Sequence, residues 1–77
     1  VEVHVRGELD SLTRQLSGRQ VEVLAYIAAG QTDAQIASAM FIGESTVKQH
    51  VQDIRSKLDA SNRAHAVHLA HRKGILE

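Results

Sequence analysis

Apolar residues return along this chain at helical spacing. Between Thr32 and Leu58 the pattern splits into two short helices joined by a tight turn, Asp33–Met40 and Glu44–Leu58. At about 100° per residue, Val47, Val51, Ile54 and Leu58 fall on one narrow stripe of the second helix. Ser45, Lys48, Gln49, Gln52 and Ser56 fall on the opposite side, with Arg55 at its edge. One face can anchor in a core. The other presents long hydrogen-bonding side chains, two of them amides that both donate and accept. A helix of that kind, supported by a short helix before it, has the form needed to read base edges in a DNA major groove.

The same periodicity places a helix on either side of this pair. Upstream, Val23, Leu24, Ile27 and Ala28 form an apolar stripe, and Glu22 and Tyr26 point outward. Ser17-Gly18-Arg19-Gln20 fits a capping box at the start, and Gly30 closes the helix as a left-handed cap. Thr32-Asp33-Ala34-Gln35 forms a second box, and Ile36, Ala37 and Met40 make the inner face that follows. Ala37 is small where two helices cross closely. The turn is Phe41-Ile42-Gly43, with Ile42 as the plug; Gly43 at the next N-cap lacks a capping oxygen. A last helix runs from about Arg63 to Lys73, capped by Ser61 or Asn62 and stopped by Gly74. Ala66, Val67, Leu69 and Ala70 face the core in this reading, and Ile75 and Leu76 fold back onto it. Before residue 16 the signal changes. Val1, Val3 and Val5 alternate with polar residues as in a strand, and Leu9, Leu12 and Leu16 suggest a short helix over 8–15. Residues 1–15 therefore read as a linker, a partner-contacting arm or a disordered end, and 16–77 as one domain. The expected fold class is all-α, a compact four-helix domain containing a helix-turn-helix.

Length and composition narrow the function. Seventy-seven residues make one small domain with little surplus apolar burial. No cysteine is present, which removes disulfides and thiolate metal sites and fits a reducing cytoplasm. No apolar run approaches the roughly 18 residues of a membrane span. The first residue is Val rather than Met, so the chain reads as a fragment of a longer protein whose remainder holds the regulation. The formal net charge of +0 cuts against the basic footprint of a nucleic-acid binder. Weak non-specific affinity is the consequence, with a strong salt dependence only when two copies act together.

Several strings then converge. Leu16-Ser17-x-Arg19 with Glu22-Val23-Leu24, Ala29-Gly30, Gln35-Ile36-Ala37, Ser45-Thr46-Val47-Lys48-x-His50 and Ile54-x-x-Lys57-Leu58 together resemble the LuxR/FixJ family of bacterial DNA-binding domains, over about residues 16–76. The resemblance implies that the third helix enters the major groove and that the fourth mediates dimers. It implies base contacts from Lys48, Gln49 and Gln52, sometimes Ser45. Phosphate contacts are implied near Thr32, Ser45 and Thr46 and from the basic residues of the third helix, Arg55 and Lys57. Three positions depart from the family pattern. Gln20 stands where Glu is usual, Asp33-Ala34 where Asn-Lys is common, and Gly43 where a Ser-type cap is usual. The first loses a carboxylate that could pair with a buried cation. The second sets an anion near the phosphate side.

Each candidate has a plainer role beside the functional one. Lys48, Gln49 and Gln52 are also ordinary exposed helix residues, and Ser45 and Thr46 could cap locally. Arg55 and Lys57 suit backbone positioning or solvation better than base reading, and packing suits His50 better than readout. His65, His68 and His71 step by three along the last helix, a drifting spacing with no carboxylate, so no metal or other cofactor is expected. A dimer face of Ala64, Val67, His68 and His71 fits better. The expected partners are double-stranded DNA, a second copy through the fourth helix, a regulatory domain preceding residue 1 and RNA polymerase, with no membrane. The leading function is the DNA-binding output domain of a bacterial transcription regulator, such as a response regulator of a two-component system. The rivals are a domain like sigma-factor region four and a protein-interaction module that has abandoned DNA. No nucleophile geometry, paired carboxylates or phosphate-cradling glycine loop supports an enzyme.

Overall fold

The computed structural model describes residues 16–76, folded as four α-helices: α1 Gly18–Ala28, α2 Asp33–Met40, α3 Glu44–Leu58 and α4 Arg63–Arg72. The expectations for residues 1–15, the strand-like start and the short helix, lie outside the described residues.

Local chemistry starts each helix. Ser17 Oγ accepts from the Gln20 amide at 3.1 Å, and the Gln20 side chain accepts from the Ser17 N–H at 3.2 Å. Thr32 and Gln35 repeat this reciprocal box at α2, at 3.2 and 2.9 Å. At α4 the choice between Ser61 and Asn62 falls to Asn62, whose Oδ1 accepts from the His65 N–H at 2.8 Å. Ser61 instead donates its N–H to His65 Nδ1 at 3.0 Å, so the imidazole reaches back to the residue before the cap rather than to the cap itself. Gly43 begins α3 with no side-chain cap.

The helix ends share one geometry. Gln31 N–H donates to Tyr26 O and Gly30 N–H to Ile27 O, the paired bonds of a Schellman motif about a left-handed residue. The same pairing closes α2 about Phe41, α3 about Asp59 and α4 about Gly74. Gly30 and Gly74 suit their positive φ; Phe41 (φ 57°) and Asp59 (φ 56°) adopt it against the steric preference of a Cβ. Ile42 and Ile75 follow two of these turns, and both pack against the core.

Side chains of α1, α2 and α3 supply the largest fully buried residues: Val23, Leu24, Ile36, Val47 and Ile54. Val51 and Leu58 extend it along α3, while Ala66 and Ala70 let α4 lie close. Leu16 and Val21 take the staple positions around the Ser17 cap and join the same cluster. Arg19 Nη2 donates to the Met40 carbonyl at 3.3 Å, tying α1 to the last turn of α2. Two expected orientations are exchanged. Tyr26 is half-buried against the core rather than outward, and Ala28 is exposed rather than inward. The broad phenol ring reaches the core from the flank of α1, where a methyl at the helix end cannot. The last helix stops at Arg72, with Lys73 as its cap, one residue sooner than expected. Val67 and Leu69 flank its buried line half-exposed rather than facing fully inward.

Candidate nucleic-acid interface

With Val47, Val51, Ile54 and Leu58 buried, the opposite side of α3 must face solvent. Ser45, Lys48, Gln49, Gln52 and Ser56 are all exposed there. Lys48 makes no hydrogen bond or ion pair to another described residue. Gln49 Nε2 donates to Asp53 Oδ1 one turn on, at 3.2 Å, leaving its own carbonyl open. Gln52 makes no side-chain hydrogen bond among the described residues. The face can therefore offer an ammonium and two carboxamides to polar edges. His50 is half-buried at its border.

The N-terminus of α3 opens onto the same side. Gly43 O accepts from the Thr46 and Val47 amides, both at 3.1 Å, so the N–H groups of the first two helical residues have no partner in the helix. Ser45 and Thr46 are exposed beside them, and neither hydroxyl caps locally. Free N–H groups, two hydroxyls and the positive end of the helix dipole favour an anion, with Glu44 in the first turn opposing. Thr32, exposed at the start of α2, accepts from the Gln35 amide and keeps its own O–H for donation.

Arg55 and Lys57 do not join this face. Arg55 Nη2 donates to the Ser61 carbonyl at 2.7 Å, and its Nε lies buried without a partner among the described residues, so the guanidinium is folded into the α3–α4 turn. Lys57 Nζ donates to Gln20 Oε1 at 3.2 Å, across 37 residues of chain. Gln20 is 5% exposed, as its inward position on α1 implies, and it meets the cation that its usual acidic counterpart would pair with. Both basic residues leave α3 on the flanks of its apolar stripe, close enough to the rest of the fold to be used internally.

Asp33 is the residue whose setting the sequence concealed. Its Oδ1 lies 2.8 Å from Arg63 Nη1 and its Oδ2 3.3 Å from Nη2, a forked pair joining α2 to α4. The Arg63 hydrogen bonds hold the Asp33 carboxyl below its usual range; burial opposes them, and the charges of Arg63 and then Lys48 reinforce them. The anion expected to stand beside the phosphate side is thus already paired. No local spacing signals a partnership between residues 33 and 63.

On α4, Ala64, His68 and His71 are exposed on one stripe, with Val67 half-buried at its edge. Ala64 and Val67 also line a shallow groove with Ile27 and Gly30 from the end of α1. Among the described residues no three His, Asp or Glu side chains converge as metal ligands. No described helix is long and apolar enough to cross a membrane.

Comparison with known proteins agrees with this geometry. Residues 14–70 match the family described as bacterial regulatory proteins, luxR family. The chain is 43% identical over 61 residues to the transcriptional regulatory protein LiaR of Bacillus subtilis, covering 79% of this chain and 29% of that protein. It is 47% identical over 62 residues to a probable transcriptional regulatory protein, NarL, of Mycobacterium tuberculosis, covering 80% of this chain and 29% of that one. Among solved structures, the response regulator ChrA of a heme-sensing two-component system superposes with a TM-score of 0.77 at 38% identity, over 79% of this chain and 30% of that one. The chain thus spans under a third of the length of these relatives. With a match over most of its length and a matching helical fold, it belongs to the LuxR family of bacterial regulatory proteins.

Proposed function

We propose that this domain binds double-stranded DNA to regulate transcription, with α3 in the major groove. Lys48, Gln49 and Gln52 contact base edges, the two amides being suited to adenine N6 and N7. Ser45 and Thr46 at the α3 N-terminus and Thr32 at the α2 N-terminus hold phosphates. The observation that carries this reading is the split of α3: a fully anchored apolar stripe behind an exposed polar face on which Lys48 has no partner among the described residues. Where a base engages both hydrogens of its amide, Gln49 must leave Asp53, at small cost for an exposed bond. A second copy, docked through Ala64, Val67, His68 and His71 of α4, would supply a second half-site. A regulatory domain elsewhere in the longer protein would control the pairing, and RNA polymerase is the partner of the bound dimer.

The test is Lys48→Ala, measured by fluorescence anisotropy on an oligonucleotide selected from a random pool. The expected loss is roughly 1–3 kcal/mol in specific affinity. Unchanged affinity rejects the assigned face. One observation favours a second reading, a protein-interaction module without DNA. Arg19, Arg55, Lys57 and Arg63 all spend hydrogen bonds or charge inside the domain. A salt titration separates the two, because phosphate contacts make the logarithm of affinity fall linearly with that of salt, by about 0.9 per phosphate neutralised.

A further inference from the structure

Gln49 and Asp53 stand one turn apart on α3, joined by the bond from Gln49 Nε2 to Asp53 Oδ1 at 3.2 Å. A carboxylate only accepts, so the amide must turn its nitrogen toward Asp53 and its oxygen away. Asp53 is half-buried and forms no ion pair with a described residue. Lys57, four residues further on, is the cation a helix would ordinarily offer it, but Lys57 donates to Gln20 instead. The carboxylate is thus left for Gln49. Gln52, the other amide of the exposed face, has no comparable neighbour. One turn on from it stands Ser56, and the two side chains are not bonded to each other.

We propose that Asp53 is a positioning residue that sets which base Gln49 reads, favouring adenine over guanine. The inference rests on the DNA-binding reading above. A free glutamine amide is ambiguous: it carries one acceptor and two donor hydrogens, and a half-turn about its last bond exchanges them. Asp53 takes one hydrogen and leaves the carbonyl and one N–H. That remainder complements adenine, which offers the N6 amine as donor and N7 as acceptor. Guanine offers two acceptors, O6 and N7. To meet both, Gln49 must withdraw from Asp53 and leave the carboxylate unpaired beside a duplex that has excluded water. To meet one, it must set its carbonyl against an acceptor. Asp53 therefore penalises the wrong base as much as it supports the right one. Gln52 keeps both orientations and reads less strictly.

Wild type, D53A, D53E, Q49A and D53A/Q49A are compared on an oligonucleotide selected from a random pool and on its variants with every other base pair at each position. Circular dichroism confirms that each protein is folded. Q49A locates the base read by Gln49, as the position where a preference for adenine over guanine collapses. At that position D53A should cut the preference about three- to tenfold, the worth of one hydrogen bond. Preferences at all other positions should stay as in wild type. Loss of the carboxylate charge strengthens binding to every sequence alike and cancels in the ratio. A merely structural role for Asp53 would likewise change all sequences together. D53E keeps an acceptor within reach of Gln49 and should retain most of the preference. D53A/Q49A should match Q49A. An unchanged ratio in D53A, a D53E as relaxed as D53A, or a collapsed preference for a base other than adenine overturns the proposal. If wild type binds no selected oligonucleotide, or Q49A alters no preference, the reading of the face fails and the proposal with it. If Q49A collapses the preference and D53A does not, only the positioning role fails.

Discussion

Gln20 offers the sharpest test of how this fold is held together. Its Oε1 accepts twice, from the Ser17 N–H and from Lys57 Nζ, both at 3.2 Å, and its residue is 5% exposed. Its Nε2 donates to no described residue, so exchanging that nitrogen for oxygen breaks nothing. Gln20→Glu makes the Ser17 bond charge-assisted, raising it from about 1 kcal/mol to about 1.5–3 kcal/mol, and turns the Lys57 bond, which already has an ionised donor, into an ion pair. The new carboxylate also lies in the first turn of α1, where the helix dipole adds about 0.3–1 kcal/mol. Against these stands its desolvation, several kcal/mol for a fully buried ion. That cost is reduced here because Lys57 is exposed and the pair keeps contact with water. The balance is a gain of roughly 1 kcal/mol, or a rise of about 4–8 °C in Tm for a domain of this size. Thermal unfolding followed by circular dichroism at pH 7 measures it. Lys57 lowers the pKa of the introduced carboxyl relative to the unfolded chain. The gain is therefore complete above about pH 4.3 and is lost as pH falls through the lowered value. In a Lys57→Met background the sign must reverse, since the carboxylate is then buried without its cation. A Q20E variant less stable than wild type at pH 7, or an increment indifferent to Lys57, would refute the reasoning.

Two further outcomes concern backbone strain and the α2–α4 clamp. Phe41 holds a left-handed conformation at φ 57° while 95% exposed, so its side chain contributes almost no burial. Phe41→Gly removes about 1–2 kcal/mol of strain and costs about 0.5–1 kcal/mol in unfolded-chain entropy. Urea denaturation should show a net gain of about 0.5–1 kcal/mol, and a loss would mean that the ring is doing something the isolated domain conceals. Arg63→Met should flatten the acid dependence of stability. Arg63 lowers the folded pKa of Asp33, so the pair stabilises fully above the unfolded aspartate value and loses that contribution as pH falls through the folded one. For a partly exposed pair the effect is at most about 1 kcal/mol. Equal differences between pH 5.5 and pH 3 in wild type and R63M would contradict it.

The elements were legible because their signals are local. Each capping box closes within four residues, and the stripe of α3 repeats within one helix, so both could be read without knowing the fold. Gly30 and Gly74 announced their turns through a residue that favours positive φ. Phe41 and Asp59 adopt the same geometry without that signature. There the packing of neighbouring helices imposes a turn that the local sequence does not advertise. The exchange of Tyr26 and Ala28 has a related cause: a wheel assigns direction and ignores reach. The basic residues of α3 were the least legible. A wheel sets Arg55 and Lys57 at the flanks but cannot show that Ser61 O lies within reach of one and Gln20 within reach of the other. Asp33 and Arg63 were invisible for the same reason, being opposite charges thirty residues apart.

That division of labour among cations bears on the proposed reading face of a chain whose net charge is +0. Arg19 closes the end of α2, Arg55 the α3–α4 turn, Lys57 the start of α1, and Arg63 the Asp33 carboxylate. These groups hold helices in place; Arg63 is offset by the Asp33 carboxylate, whereas Arg55 and Lys57 are bonded to neutral oxygens and keep their full charge. Lys48 is left on the exposed side of α3 beside Ser45, Gln49 and Gln52, with Glu44 one turn before it. Neutral groups read hydrogen-bond patterns at contact distance and exert almost no pull beyond it. On the proposed reading, such a surface would discriminate between sequences better than it attracts DNA in general. On that reading its non-specific affinity would be low, and useful occupancy would depend on joining two domains, where the second contact becomes intramolecular and the weak terms multiply.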